Sequence, residues 1–326
     1  MTGRVCILHN AIEDGASLDA RDVLVQVEEV SAALTTLGYE TLPLAVGLDL
    51  EHTRAALRDL HPVGAFNLVE DVGGHAELIS AVPMLLDGIG VPYTGASATG
   101  MFLTSNKVLA KVWLERHALP TPSWFEIEPP RAAPAGRWIV KPVWEDASVG
   151  LIDASVVASA ERARERLSHV RADGGTWFAE SYIDGREINV SLLANGSGVE
   201  VLPIAEIRFI DYPADKPRIV GYKAKWNEDS FEYRHTLRDF AIAKAEQALH
   251  TRLAALARTC WQLFDMRGYA RVDLRIDAQG QPWVLEINAN PCLSSDAGFA
   301  AALAEAGIPF ERAIARIIAA TPGFAR

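Results

Sequence analysis

The chain has 326 residues, of which 49% are hydrophobic and 22% charged, a composition typical of a globular protein with two domains or one large multi-lobed domain. Its formal net charge of −11 argues against nucleic acid or an anionic membrane as the main partner. No apolar run reaches the roughly 18 residues of a membrane span, and the apolar stretch near the start is too short for a secretory signal. Three scattered cysteines, Cys6, Cys260 and Cys292, fit a reduced, cytoplasmic compartment better than a disulfide scaffold.

The first hundred residues alternate between strand and helix patterns. Apolar residues at helical spacing from Val23 to Leu37 are followed by Gly38, a common residue just after a helix. Strands separated by helices indicate a parallel, doubly wound sheet, which binds ligands at the carboxyl ends of its strands. The predicted strands are 4–8, 39–44, 64–69 and 91–95, and the predicted helices are 23–37, 53–60 and 76–87.

The rest of the chain has longer polar segments between its predicted elements. A proline-rich stretch at 119–136 reads as a linker with a short strand inside it. Residues 210–238 show little periodicity, and a loop of that length in a compact domain is usually functional or disordered. The other predicted elements are helices at 106–117, 159–170, 241–264 and 310–318, strands at 137–143 and 176–183, and hairpins at 187–209 and 269–291.

The segment YARVDLRIDAQGQPWVLEINANP has the period-2 alternation and the central turn of a β-hairpin. A turn centred on its Gln-Gly pair would place Asp273 opposite Glu286 and Arg271 opposite Asn288. Like charges that face each other destabilise a sheet, but a shared cation would reverse that penalty. Two carboxylates and an amide oxygen are ligands suited to Mg²⁺ or Mn²⁺. The alternative, from this hairpin alone, is a strand face whose charges point at water.

Two lysines and a loop of small residues suggest phosphate binding. Lys141 ends a predicted strand and precedes the loop VWEDASVG, while Lys107 stands near the start of a helix. Such loops expose backbone N–H groups that can bind phosphate, and a lysine adds a positive charge. The spacing is not that of a P-loop. Taken singly, each lysine is explained more simply as a solvated surface residue.

Two further segments carry charged residues suited to a nucleotide. In AESYIDGREINV, the strand end at Glu180 could offer backbone groups to a purine, and Glu187 could bind ribose hydroxyls. The alternative is an ordinary turn with exposed charges. In IVGYKAKW, Lys223 and Lys225 would lie on one side of an extended, mobile stretch and could cover phosphates. The alternative there is a solvated edge strand, where lysine is common.

Taken in chain order, these segments resemble the D-alanine–D-alanine ligase family of the ATP-grasp superfamily. The matching stretches are FNLVED, GVPYTG, SNK, IVKPVWEDASVG, ESYIDGREINV, YKAKW, GYARVDLR and VLEINANP. The resemblance implies an α/β ATP-grasp fold with an N-terminal Rossmann-like domain at 1–104, a central lid subdomain at 105–187 and a C-terminal subdomain with the metal site at 188–326. It also implies an enzyme that phosphorylates a carboxylate with ATP, after which an amine attacks the acyl phosphate.

The resemblance assigns a role to each candidate residue by position. Arg271 would stabilise negative charge at the acyl phosphate, Lys225 would reach the transferred phosphate, and Glu145 would lie in the lid as a third catalytic residue. Two Mg²⁺ ions, or Mn²⁺ in their place, are implied, with Glu286 bridging them. The implied metal ligands are Asp273, Glu286 and Asn288, and the implied ATP-binding residues are Lys107, Lys141, Ser148, Glu180, Ser181, Tyr182, Ile183, Glu187 and Lys223.

The chain departs from the family pattern in the lid and in the mobile loop. The lid usually reads close to EGSSVG, whereas here Asp146 and Ala147 replace a glycine and a serine. In the mobile loop, Trp226 follows Lys225 where the family has tyrosine. Both changes fall where the lid and the loop would meet the substrates.

The positions that would bind the amino-acid substrates depart as well. Cys292 stands where a glycine is expected, and Ala297 stands where the family has a carboxylate-binding serine. The acidic residue that holds the first substrate's ammonium group has no clean match, although Asp19 and Asp22 are near the expected place.

We therefore predict an ATP- and Mg²⁺-dependent carboxylate–amine ligase with an amino-acid or peptide pair other than two D-alanines, because a polar site rejects analogues that leave its groups unpaired. A divergent D-alanine–D-alanine ligase, an ATP-grasp phosphotransferase and a non-catalytic nucleotide-binding role are the alternatives. A nucleophilic Cys292 is disfavoured, since no motif places a histidine beside it. The resemblance further implies a homodimer.

Overall fold

A computed structural model describes residues 3–12, 15–145, 148–172 and 174–324. Three separate β-sheets follow one another along the chain, and helices cover them. The α/β class expected from the sequence is confirmed. Within the described residues, no helix has both the length and the apolar character needed to cross a membrane.

The first sheet is parallel, with the strand order β2–β1–β3. The expected strand at 91–95 is wrong, because only a single bridge between Ala65 and Tyr93 forms there. The predicted helix at 76–87 is interrupted, and a short 3₁₀ turn at Ala76–Leu78 precedes its main part. The elements are β1 (Arg4–Asn10), α1 (Leu18–Thr36), β2 (Glu40–Val46), α2 (Leu50–Leu60), β3 (Gly64–Asn67), α3 (Ala81–Ile89) and α4 (Ala98–Ser105).

The second sheet is antiparallel, with the strand order β4–β7–β5–β6. Its apolar face packs on one helix through Trp138, Leu167 and Ala179. The predicted strands at 137–143 and 176–183 and the helix at 159–170 are confirmed within one to two residues at most ends. The elements are α5 (Lys107–Arg116), β4 (Trp124–Phe125), β5 (Trp138–Pro142), β6 (Val156–Val157), α6 (Ala160–Ala172) and β7 (Trp177–Ser181).

The third sheet has the order β11–β10–β8–β12–β13, and β9 pairs with β8. The segment 210–238, for which we predicted no regular structure, contains two helices of five residues and the start of an edge strand. Helices that short leave no periodic pattern in the sequence. The elements are β8 (Arg186–Asn195), β9 (Gly198–Val201), β10 (Ala205–Phe209), α7 (Tyr222–Trp226), α8 (Phe231–His235), β11 (Thr236–Asp239), α9 (Ile242–Ala245), α10 (Gln247–Leu263), β12 (Tyr269–Ile276), β13 (Pro282–Asn288), α11 (Gly298–Glu305) and α12 (Phe310–Ala319).

The hydrophobic core joins the two ends of the chain. Val5 and Ile7 of β1 are fully buried in the same cluster as Ile314 and Ile317 of α12. Burying each such side chain contributes roughly 1.5–3 kcal/mol. Each of the expected ranges 1–104, 105–187 and 188–326 holds one sheet, apart from the first two residues of β8. The domain boundaries themselves stay a prediction.

The connection between β7 and β8 needs a glycine. A Cβ atom on Gly185 would lie 1.9 Å from the carbonyl oxygen of Ile276 and 3.3 Å from the Cα of Asp277. Both neighbours belong to the backbone of the β12–β13 hairpin, which side-chain rotation cannot move. The close approach brings the end of the second sheet directly onto the third.

We expect Gly185→Ala to lower the free energy of unfolding by about 1–3 kcal/mol, because overpacking against backbone forces strands apart. Gly88→Ala is the matched control, since Gly88 lies in α3 and a Cβ atom added there would meet no atom within 4 Å; that variant should unfold at or slightly above the wild-type temperature. Differential scanning calorimetry measures both. Equal midpoints for the two variants would contradict the assigned contact.

Candidate active site

A cavity of about 490 Å³ lies between the second and third sheets. Its walls come from β5 and β7 on one side and from β8, β12 and β13 on the other, with α7 and the segment before α11 closing its ends. The structure brings thirteen of the fifteen predicted site residues to this cavity. The two that do not line it are Lys223 and Asn288.

The β12–β13 hairpin has the pairing that the sequence predicts, with Asp273 opposite Glu286 and Arg271 opposite Asn288. The strict alternation predicted for β13 is wrong at its centre, however. A register shift after Asp273 pairs Leu274 with Val284, so the strand carries one extra residue there. The bulge buries Val284 and turns Leu285 toward the cavity.

Asp273 is held firmly by its neighbours. Arg271 donates to both of its carboxylate oxygens at 2.8 Å, and Asn189 of β8 donates to Oδ1 at 2.7 Å. A carboxylate has about four acceptor positions, so one remains for a further ligand. Asn189 was missed from the sequence, although its place two residues after Glu187 on a strand puts both on one face.

Glu286 has more freedom to bind a ligand. Its side chain is 26% exposed, and Lys107 Nζ lies 3.7 Å from Oε2. Among the described residues, no donor makes a hydrogen bond to this carboxylate. An all-oxygen pair of carboxylates, one of them with open acceptor positions, fits Mg²⁺ or Mn²⁺ in its chemistry.

Asn288 lies two residues after Glu286 on β13, and it lines a smaller neighbouring cavity of about 70 Å³. Its Oδ1 accepts from the backbone N–H of Asn290 at 2.9 Å. Arg271 lines both cavities, so Asn288 is adjacent to the carboxylate pair without facing the larger cavity. Its role as a metal ligand stays a prediction.

Lys107 connects the hairpin to the predicted lid. Its nearly buried ammonium group donates to the carbonyl oxygen of Glu145 at 2.7 Å. Ser148 lines the cavity with φ at +66°, a left-handed conformation unusual for a residue other than glycine. Its hydroxyl donates to the carbonyl oxygen of Val220 at 2.6 Å. The two lid departures, Asp146 and Ala147, lie outside the described residues.

Glu180 sits fully buried between two lysines. Lys111 Nζ lies 2.5 Å from Oε2, and Lys141 Nζ lies 2.6 Å from Oε1. Burial alone would raise the pKa of Glu180, but the two ammonium groups more than offset that effect and hold the pKa below its ordinary value. Burial lowers the pKa of Lys111, and Glu180 opposes that shift. Lys141 and Glu180 line the cavity, whereas Lys111 lies behind it.

The predicted hinge runs along one wall of the cavity. Ser181, Tyr182 and Ile183 all line it, and the hydroxyl of Ser181 is buried without a hydrogen-bond partner in the described part of the chain. Arg275 of β12 is buried behind them and donates to the carbonyl of Ile183 at 2.8 Å and to Glu187 at 2.7 Å. Its guanidinium group also lies over the Tyr182 ring, 5.0 Å from the centroid.

Lys223 and Lys225 do not share a side, so that part of the prediction is wrong. They lie in the short helix α7, not in an extended stretch. Residues two apart share a face of a strand, but they are about 200° apart around a helix. Lys225 therefore lines the cavity together with Trp226, while Lys223 is exposed and points elsewhere.

The far end of the cavity collects polar groups around Asp22 of α1. Cys292 Sγ donates to Asp22 Oδ2 at 2.9 Å, and Ser294 Oγ and Gln26 Nε2 lie 3.4 Å from the same oxygen. Asp22, one of the two acidic candidates, thus reaches the site, while the side chain of Asp19 lies outside the described residues. Burial and then Asp22 raise the pKa of the Cys292 thiol, which disfavours the thiolate that a nucleophile needs.

A second arginine lines this end of the cavity. Arg238, on the edge strand β11, donates from Nη1 to the carbonyl oxygen of Asp296 at 3.0 Å, and its Nε lies 3.8 Å from a Cβ built on Gly298. Burial and then the nearby charge of Arg271 lower its pKa. Within the described residues, no carboxylate lies in ion-pair distance of its guanidinium. Sequence patterns did not mark this arginine, because it lies in the segment without periodicity.

Comparisons with known proteins show which proteins this chain is similar to. The family model described as the D-ala D-ala ligase C-terminus matches residues 136–319. The uncharacterized protein y4sG of Sinorhizobium fredii is 33% identical over 302 residues, 89% of this chain and 85% of that one. A D-alanine–D-alanine ligase of Bordetella avium is 30% identical over 300 residues, 90% of this chain and 86% of that enzyme.

A solved structure supports the fold alone. The D-alanine–D-alanine ligase of Bacillus anthracis, in a crystal structure complexed with ATP, superimposes with a TM-score of 0.73 at 20% identity and covers 98% of this chain and 97% of that one. The fold is therefore that of the ATP-grasp class. The chain belongs to the D-alanine–D-alanine ligase family and is thus an ATP-dependent ligase.

We expect Cys292→Ser to retain ADP formation within a few-fold of wild type, because a hydroxyl can replace the thiol as donor to Asp22. Cys292→Ala should change the KM for an amino-acid substrate, since it leaves Asp22 with fewer hydrogen-bond donors. Steady-state kinetics with any productive substrate pair measures both. A loss of several orders of magnitude in kcat for the serine variant would instead identify a nucleophilic cysteine.

Proposed function

We propose that this protein joins a carboxylate to an amine, with ATP and Mg²⁺, and that its substrate pair differs from two D-alanines. One observation carries the proposal. A single cavity joins lysines and a carboxylate pair suited to a metal-bound polyphosphate with a far end where Asp22 and Arg238 offer opposite charges. Such an end suits a substrate that carries both an ammonium and a carboxylate group.

The near end of the cavity fits a nucleotide. The hinge residues Tyr182 and Ile183 would contact the purine, and Glu187, already oriented by Arg275, would accept from the ribose hydroxyls. Lys107 and Lys141 would bind the phosphates through charge-assisted hydrogen bonds. Ser181 would lie beside the purine with its unpartnered hydroxyl.

The lid would cover the phosphates from above. The hydroxyl of Ser148 is engaged by Val220, so Ser148 would bind phosphate through its backbone. Asp273, Glu286 and Asn288 would hold Mg²⁺, with Glu286 as the ligand that has the most acceptor positions open. Bound Mg²⁺ neutralises phosphate charge and orients the transferred group.

The remaining residues would serve the two chemical steps. A substrate carboxylate oxygen attacks the γ-phosphorus, the bond to the β-phosphate oxygen breaks and ADP leaves. The neutral amine nitrogen then attacks the acyl carbon, phosphate leaves with the bonding pair, and the proton that nitrogen loses passes to the departing phosphate or to solvent. Arg271 would stabilise the charge that develops on the acyl phosphate and the tetrahedral intermediate. Lys225, from α7, reaches the same cavity and would bind the transferred phosphate, and Glu145, from the lid, lines that cavity as the third proposed catalytic residue.

Two features of the far end support a changed substrate pair. The thiol of Cys292 occupies space beside Asp22 that a glycine would leave open. Arg238 adds a cation at the end where Ala297 has no hydroxyl to offer. Both residues would alter which amino acid fits, because an unpaired polar group is costly in a desolvated site.

A divergent D-alanine–D-alanine ligase is the second candidate, and the 30% identity to the Bordetella avium enzyme favours it. The two candidates differ in one measurement. Purified protein with Mg²⁺ and ATP is assayed for ADP release against D-alanine and against pools of L-amino acids, other D-amino acids and dipeptides, with mass spectrometry of each product.

We expect an amide product from a pool other than D-alanine, with one ADP released per bond formed. D-Alanyl-D-alanine formation at millimolar D-alanine would establish the second candidate. ADP release with a stable phosphorylated product would identify a phosphotransferase. Omission of Mg²⁺, with EDTA present, should abolish turnover and is the control for metal dependence.

We expect Arg238→Met to raise the KM for the amine substrate by about tenfold to a hundredfold, since a charge-assisted hydrogen bond is worth roughly 1.5–3 kcal/mol. The KM for ATP should stay near wild type. The matched control is Arg234→Met, because Arg234 is exposed, pairs with Asp229 and does not line the cavity.

An amine lacking the carboxylate of the identified substrate provides a second readout. It should be a poor substrate for the wild type and should lose little further in Arg238→Met. If both arginine variants shift the KM equally, Arg238 acts through general charge and does not contact the substrate.

A further inference from the structure

Lys111 is a buried charge that the chemistry described above does not use. It lies on α5, one helical turn after Lys107, with a side chain that is 0% exposed, and it does not line the cavity. A buried ammonium group is costly unless it is paired. Its partners are the carboxylate of Glu180 at 2.5 Å and the hydroxyl of Thr121 at 2.8 Å.

The partners of Lys111 fix its position from two sides. Thr121 Oγ1 accepts from Lys111 and donates onward to the carbonyl oxygen of Val284 on β13 at 2.9 Å. Val284 is the residue of β13 that the bulge buries, two positions before Glu286. The ammonium group therefore ties the hinge strand β7 to the strand that carries Glu286.

Charge balance shows what Lys111 does for Lys141. Glu180 contacts both lysines, so the three groups together carry one positive charge, and of the two lysines only Lys141 lines the cavity. Without Lys111, Glu180 would neutralise Lys141, and the cavity wall would carry no net charge at this point. The attraction between the Lys141 ammonium group and a phosphate is stronger in a half-buried site than at the surface, because the effective dielectric constant is lower there.

We propose that Lys111 is a positioning residue for the nucleotide: it neutralises Glu180 so that Lys141 keeps its positive charge for the phosphates. The inference rests on the proposed ATP site, and it assigns that site a residue that touches neither ATP nor the amino-acid substrates. This role differs from that of a purely structural ion pair. Here the net charge of Lys111, Glu180 and Lys141, and not their packing, sets the affinity for phosphate.

The test compares binding of β,γ-imido-ATP with Mg²⁺ and binding of adenosine, both by isothermal titration calorimetry. Lys111→Met should weaken binding of the imido-ATP by about tenfold or more and change adenosine binding by less than about threefold. Lys111→Arg should keep most of the affinity. Lys244→Met, at an exposed lysine of α9 outside the cavity, is the control and should match wild type.

The double variant Lys111→Met/Glu180→Gln gives the decisive readout. It removes both buried charges, leaves Lys141 positive and should recover most of the lost ratio of imido-ATP affinity to adenosine affinity, a ratio in which any direct contact between Glu180 and the purine cancels. It also keeps the test valid if Lys111→Met alone folds poorly, because no unpaired carboxylate is left behind. Equal losses for adenosine and imido-ATP, or no recovery in the double variant, would overturn the inference while leaving the ATP site intact. No binding of imido-ATP by the wild type would overturn the proposed ATP site and the inference together.

Discussion

Two carboxylates that face each other across an antiparallel strand pair set the conditions for the rest of the site. Asp273 and Glu286 are directly opposite in the β12–β13 ladder, and like charges in that arrangement repel. Cationic side chains approach them from two directions, Arg271 from the same strand and Lys107 from helix α5. Because Lys107 also binds the lid backbone, the position of the lid depends on the charge of the hairpin. A fold that places two acidic side chains together in this way is stable only if cationic side chains lie beside them.

The sequence predicted those features that depend on local pattern. The hairpin register follows from alternation and a turn, and both survive in the structure as far as Asp273. The bulge beyond it could not be read from the sequence, because Leu285 follows another apolar residue, Val284, and an extra residue there leaves the alternation looking intact. Lys223 and Lys225 show the same limit, since five residues in helix α7 are too few to display a period. Short elements take their conformation from what they pack against, and that information lies elsewhere in the chain.

Local sequence patterns did not predict the contacts between distant segments. Asp22 and Cys292 are 270 positions apart in the sequence but in contact in the structure. Neither residue belongs to a spacing pattern that predicts this contact. Lys111 could have been noticed, because it stands four residues after Lys107 and so lies on the same face of the helix. A lysine on the inward face of a helix needs a buried partner, but that rule does not say which acidic residue provides it. The resemblance to a family gave the order of the binding segments, but it did not identify buried residues such as Lys111 that lie behind the cavity wall.

The core that joins β1 to α12 has a consequence for how the chain is made. Strand β1 packs against Ile314 and Ile317 of α12, and the ring of Phe324 covers Gly64 of β3. At about 5–20 residues per second, synthesis separates these segments by roughly 15 to 60 seconds. During that interval the face of the nascent first sheet that carries Val5 and Ile7 is covered by α1 but not yet by α12. Synthesis of α12, rather than formation of the first sheet with α1, therefore completes this part of the core, and a chaperone that shields the early sheet would act in that window.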